Sequence, residues 1–222
     1  MAINILEEDR HKRKFLNFIL NSIEKIDNPK ILEFGVSDDA MSTGFLLDLC
    51  KKNKGNLISV DLNDYEKKFI SENWKFIHSR DDNFFLIDEN LTVPLDVIYL
   101  DTIHKANHVK KIFYHYYSKL KVGGFFFIDD TSWIPYTRKH DKNNFFYEIN
   151  NQETFIELLE IYNNNTKKFD IEFSFVGTGI AKIIKLNNSE LAKPTKILSR
   201  RLSVINFLRK IYLLTIKKFV KK

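Results

Sequence analysis

Four short apolar runs, each with an acid at or near its end, constrain this chain more than any other feature. They are KILEFG (30–35), NLISVD (56–61), PLDVIYLD (94–101) and FFFIDD (125–130). Runs of strand length with little alternation predict strands buried on both faces. Helical patterns separate them, so the strands are expected to be parallel and covered by helices on both sides. Such sheets take ligands beyond the carboxyl ends of their strands. Here those ends carry Glu33, Asp61, Asp101, Asp129 and Asp130. A single acid at such a place is an ordinary turn former or helix cap. Five together point to a ligand site.

The remaining segments complete an α/β, doubly wound, Rossmann-like sheet. Glu7 to Lys25 has helical spacing, and Pro29 ends that helix by pushing Asn28 out of the α region. Helices are expected over Ser42–Asn53, weakly over Asp64–Glu72, over Lys105–Leu120 with KVGG as its stop, and over Asn151–Asn164. WKFIHS (74–79) reads as a further strand. The segment from Phe169 to Leu186 reads as a hairpin turning at Gly177 and Gly179. About seven strands result, mostly parallel, with a C-terminal hairpin. The expected division is a main domain over 1–190 and a basic tail over 191–222.

With 44% hydrophobic residues in 222, the chain can bury one full-sized core. The single cysteine, Cys50, sits among Phe45, Leu46, Leu47 and Leu49 and reads as a buried thiol in a reducing compartment. The charged N-terminus lacks a signal-peptide apolar core, and no apolar run reaches the ~20 residues of a membrane span. A cytoplasmic protein is expected, with the inner face of the membrane as a place for the tail. The net charge of +6 is unevenly spread: residues 191–222 hold ten Lys/Arg and no acid, leaving 25 bases against 29 acids elsewhere. No nucleic-acid partner is expected for a mildly acidic body.

The loop ILEFGVSDDAMST (31–43) has one glycine, Gly35, and two acids, Asp38 and Asp39. Neither GxGxxG nor GxxxxGK[ST] is present, and the acids would repel a polyphosphate. A ligand with hydroxyls and positive charge fits better. S-adenosylmethionine has a ribose, an ammonium group and a sulfonium, and no phosphate. Asp61 stands where an acid can accept both ribose hydroxyls. Composition and order make a nucleoside-type cofactor the expectation without selecting one.

The ordered set ILEFGVSDDAMST, NLISVDL, WKFIHSRDD, PLDVIYLDTIH and LKVGGFFFIDD resembles the class I S-adenosylmethionine-dependent methyltransferases, most of all their small bacterial O-methyltransferase-type branch. The resemblance covers about Lys30 to Trp133. It implies that Glu33, Gly35 and Ser37 form the first cofactor loop, with Ser42 and Thr43 capping the next helix. It implies Asp61 as the ribose acid, Asp81 or Asp82 near the adenine, and Asp101 and His104 beside the sulfonium and the acceptor. Asp129 and Asp130 match an acidic pair that, with Asp101, holds a divalent cation in metal-dependent relatives. An oxygen-only set of this kind suits Mg²⁺. Two departures stand out: Ala40 lies near a position where relatives commonly carry a second glycine, and Ala106 where an aromatic is frequent.

Methyl transfer needs a positioned nucleophile and often a base. His104 is the expected base, because histidine exchanges protons near neutral pH. Asp101 and Asp130 are the acids expected beside it. His108 and His115 read as structural or surface residues. Trp133, Tyr136 and His140 fall in a loop that could cover a substrate. The expected reaction is O-methylation of a small molecule such as a sugar or glycan precursor. A nucleotide-dependent oxidoreductase or epimerase and a non-catalytic cofactor-binding scaffold are the other readings. In the tail, Leu198, Leu202, Ile205, Leu208, Tyr212 and Phe219 share a helical spacing, with Arg200, Arg201, Arg209, Lys210, Lys217 and Lys218 mostly elsewhere around the wheel. That basic amphipathic helix suits packing on the domain or a second subunit, contact with an anionic membrane through 196–222, or nucleic acid.

Overall fold

The computed structural model describes residues 17–132, 145–200 and 203–214. Seven strands form one sheet in the order β3-β2-β1-β4-β5-β7-β6. They are β1 (Lys30–Phe34), β2 (Asn56–Asp61), β3 (Trp74–His78), β4 (Leu95–Leu100), β5 (Leu120–Asp129), β6 (Phe169–Ser174) and β7 (Ile180–Lys185). β1 pairs in parallel with β2 and β4, β2 with β3, and β4 with β5. β7 runs antiparallel to both β5 and β6. The mostly parallel sheet with its C-terminal hairpin is thus as the sequence predicted. The chain reverses its winding between β1 and β4, which places the switch point over the ends of those two strands.

Helices cover both faces. Residues 17–23 form α1. The others are α2 (Met41–Asn53), α3 (Phe84–Glu89), α4 (Ala106–Tyr117), α5 (Phe145–Asn163) and α6 (Val204–Leu214). Alternate strand residues go to opposite faces. Leu32, Phe34, Ile98, Leu100, Phe126 and Ile128 meet Ile112, Phe113 and Tyr116 of α4 and Leu158 and Ile161 of α5. Ile31, Val97, Tyr99 and Phe127 meet Ile19 and Ile23 of α1 and Leu46, Leu47 and Cys50 of α2. Cys50 is buried and free, and burial pushes its thiol up to about 12.

The structure corrects four expectations. Asp64–Glu72 is not helical. Its side chains take other partners: Asp64 accepts the backbone N–H of Glu66, while Tyr65 and Lys68 donate to the side chain and carbonyl of Asp38. KVGG does not stop α4, which ends at Tyr117; it lies inside β5. There it forms a bulge, since Leu95 pairs with Leu120 but Val97 already pairs with Phe125. Gly123 supplies the φ of +80° that the bulge requires. α5 starts at Phe145 rather than Asn151, and the short helix α3 was not foreseen. Residues 191–197 lie against α5: Thr195 and Ile197 donate their N–H groups to the carbonyl and side chain of Glu160.

Candidate active site

The loop after β1 and the loop after β4 touch directly. The N–H of Gly35 donates to the Val60 carbonyl, and that of Asp101 to the Phe34 carbonyl, both at 2.9 Å. Gly35 has φ +95°, and a Cβ on it would lie 1.9 Å from the Asp101 carbonyl oxygen. Only glycine allows this approach. It brings Asp61, at the end of β2, and Asp101, beyond β4, to opposite sides of one cleft. The cleft measures about 170 Å³ and is also lined by Ser79, Arg80, Asp81 and Thr102. A larger hollow of about 350 Å³ lies at the other end of the sheet, around Lys30, Asn56 and Trp74. Of these two, the smaller cleft is the candidate, because it sits at the carboxyl ends of the strands with the acids.

Glu33 lies beneath the cleft and is fully buried. Ser42 donates to one oxygen at 2.9 Å and Ser59 to the other at 2.6 Å, and the Trp74 indole in turn donates to Ser59. Burial outweighs these bonds and raises the Glu33 carboxyl to about 7. The buried hydroxyl of Thr43 faces the same carboxyl and, with Ser59 and Ser42, opposes that rise. Neither Ser42 nor Thr43 caps α2, as had been expected: Ala40 is the N-cap residue, and no side chain bonds the helix end. No local pattern marks Ser59, which faces Glu33 from β2 in the parallel register.

Asp61 accepts the N–H of Val36 and the N–H of Asn63, each at 2.8 Å. One lone pair on each oxygen remains for a ligand diol. Ser37 donates to Asp39 at 2.7 Å, and Asp38 is held by Tyr65. The two loop acids therefore shape the loop itself. Ser37 and Ala40 both have left-handed backbone, at φ 59° and 46°. Ala40 adopts the conformation in which glycine is at ease.

Asp81 and Asp82 have separate fates. Asp81 lines the cleft and bonds Thr102 and His108, the latter at 2.6 Å. Asp82 turns to the surface, where Arg80 and then Lys111 hold its carboxyl well below the usual range. Of the two residues named from the sequence, the geometry therefore favours Asp81. His108 has a structural role: it ties α4 to the loop after β3.

At the mouth of the cleft, His104 stands between two carboxylates. Its Nδ1 is 3.0 Å from Asp130 and its Nε2 is 3.5 Å from Asp101. Asp130 reaches this place with left-handed backbone, at φ 58°. The Asp101 carboxyl rises to about 6, chiefly because it is buried, with His104 opposing and Asp130 reinforcing the shift. Asp129 turns inward: it accepts the Tyr99 hydroxyl at 3.1 Å and the Asp130 N–H at 2.7 Å, and burial raises its pKa too. Among the described residues no group of three or more His, Cys, Asp or Glu side chains is arranged to hold a metal. The triad Asp101, Asp129 and Asp130 expected for Mg²⁺ does not fit one, because His104 stands between Asp101 and Asp130 while Asp129 is bonded elsewhere. Trp133, Tyr136 and His140 lie outside the described residues.

Glu33, Asp101 and Asp129 all sit above their ordinary pKa values within one cluster. Such a cluster repels phosphate and would be relieved by a cation. A ligand carrying an ammonium or sulfonium and a vicinal diol satisfies it.

Comparison with known proteins agrees with this chemistry. Residues 32–131 match the family described as Methyltransferase domain. No curated protein sequence matches. Among solved structures, MycE methyltransferase from the mycinamycin biosynthetic pathway, in complex with Mg, SAH and mycinamycin VI, superposes with a TM-score of 0.55 at 17% identity over 82% of this chain. The chain spans about half of MycE, 51% of its length. The SAH-bound Podospora anserina methyltransferase PaMTH1 superposes with a TM-score of 0.60 at 14% identity, over 78% of this chain and 77% of its own. An rRNA methylase from Streptococcus thermophilus gives 0.54 at 14%, over 77% and 95%. At these identities the likeness is one of fold.

Proposed function

We propose that this chain, whose residues 32–131 match the family described as Methyltransferase domain, transfers the methyl group of S-adenosylmethionine to an oxygen of a small acceptor, such as a hydroxyl of a sugar or glycan precursor. The observation that carries this reading is the pairing of a buried acid cluster with a histidine at its mouth. Glu33, Asp101 and Asp129 favour a cationic ligand, Asp61 has lone pairs for a ribose diol, and His104 is placed to take a proton.

When bound, S-adenosylmethionine supplies a methyl group on a sulfonium, a good leaving group that departs as a neutral thioether. The remaining work falls to the chain. Asp61 would accept the ribose hydroxyls, and Asp81 would stand by the purine end of the cleft. Glu33 and Asp101 would balance the ligand's charge and be ionised by it. Asp130 accepts the Nδ1 proton of His104, which leaves the Nε2 lone pair as the base. The acceptor O–H would give its proton to Nε2 as its oxygen bonds the methyl carbon and the carbon–sulfur bond breaks. No step here uses a metal.

The test is transfer of labelled methyl from S-adenosylmethionine to a panel of sugars, glycan precursors and phenols. Label on an acceptor hydroxyl supports the reading. Binding of the cofactor with no transfer to any hydroxyl, and transfer to RNA or to nitrogen instead, would overturn its acceptor class.

A further inference from the structure

The helix α6 has no buried residue. Val204, Ile205, Phe207, Leu208, Ile211, Tyr212 and Leu214 are all exposed. At 100° per residue these seven fall on one half of the helix, from Leu214 and Phe207 through Ile211, Val204 and Leu208 to Tyr212 and Ile205. Asn206, Arg209 and Lys210 occupy the other half, with Leu213 alone among them. The two cations lie just beyond the two edges of the apolar arc. An exposed apolar face of this size on a soluble domain marks an interaction surface.

Charge identifies what covers it. Residues 191–222 carry ten Lys/Arg and no acid, so the partner is anionic. Two copies of the tail would bring twenty positive charges together, which disfavours self-association through this face. A nucleic acid would meet the cations but leave seven apolar side chains in water. An anionic bilayer satisfies both: the apolar arc enters the boundary of the acyl chains, and Arg209 and Lys210 reach the headgroups from its edges. No helix among the described residues is long and apolar enough to cross a membrane, so the contact is peripheral.

From these observations we infer that α6 and its basic flanks dock the protein on the surface of an anionic lipid bilayer. The enzyme would then act at the membrane face, on acceptors that are themselves lipid-linked or made there.

Co-sedimentation of the full chain with vesicles tests this. Vesicles of phosphatidylcholine with phosphatidylglycerol should bind it, and pure phosphatidylcholine at least about tenfold more weakly, because each cation near an anionic surface adds about 1 kcal/mol. High salt should weaken the binding as well. Phe207→Glu with Ile211→Glu should abolish it, and Arg209→Gln with Lys210→Gln should lower it about tenfold or more. Unchanged thermal unfolding shows that each variant is folded, since these side chains touch no core. Equal binding of wild type and the Phe207→Glu, Ile211→Glu variant to anionic vesicles would overturn the inference. So would failure of the wild type to bind them while it binds RNA or dimerises through this face.

Discussion

His104 Nδ1 and a carboxylate oxygen of Asp130 lie 3.0 Å apart, joining the loop after β4 to the end of β5. An acid on Nδ1 fixes the imidazole tautomer and leaves Nε2 to act as a base. His104→Ala should therefore lower the turnover number by about 10² to 10⁴ while cofactor affinity stays close to that of the wild type. Asp130→Asn should cost less and shift the pH profile of turnover, because the imidazole keeps a partner but loses its charge. Steady-state kinetics across pH checks both. Equal activity of His104→Ala would assign His104 to the loop alone.

Glu33 gives a pH dependence whose sign is fixed. Its carboxyl rises from 4.5 to about 7 on folding, so the folded state holds a proton that the unfolded state has lost. Stability is highest below about pH 4.5 on this account and falls as pH rises towards 7. Asp101, raised to about 6, acts in the same direction. Glu33→Gln should flatten the dependence and stabilise the protein at pH 8 by up to about 3 kcal/mol, with little change at pH 4. The same variant should bind the cofactor more weakly, a cost of stability at a functional site. Denaturant unfolding at the two pH values reads the first effect.

Gly35 carries the junction of the two loops. Gly35→Ala would place a Cβ 1.9 Å from the Asp101 carbonyl oxygen at a φ of +95°. We expect a loss of several-fold or more in cofactor affinity, together with destabilisation of about 2 kcal/mol or more. Wild-type affinity in a folded Gly35→Ala protein would show that the two loops do not set the cleft.

Lys185 is a buried cation. Its Nζ donates to the carbonyls of Tyr117 and Leu120 at 3.1 and 2.6 Å and to that of Ser118 at 3.3 Å, where α4 gives way to β5. Burial lowers its pKa. Lys185→Met should cost about 2–4 kcal/mol, because it leaves buried carbonyls without donors. Chemical denaturation measures it, and a loss below about 0.5 kcal/mol would show that water replaces the lysine.

The sequence made the strands and their terminal acids legible because both rest on local pattern. Apolar runs ended where the structure ends β1, β2 and β4, and the structure brings Asp61 and Asp101 to one cleft, with His104 3.5 Å from Asp101. What was not legible depends on contacts between distant segments. Ser59 meets Glu33 only through the register of two parallel strands. Asp81 and Asp82 are neighbours in the chain, and only the position of α4 separates their roles. Lys185 finds its carbonyl partners only because α4 stops above the end of β7. KVGG read as a helix stop because a bulge and a C-terminal cap call for the same glycines. Ala40, one of the two departures visible in the sequence, is left-handed at φ 46°.

A titration calorimeter with S-adenosylhomocysteine and the full chain addresses the acid cluster directly. One site per chain is expected, with affinity rising between pH 5.5 and 8 and protons released to the buffer as Glu33 and Asp101 ionise. The absence of binding to folded protein, with heat from NAD instead, would contradict the methyltransferase assignment.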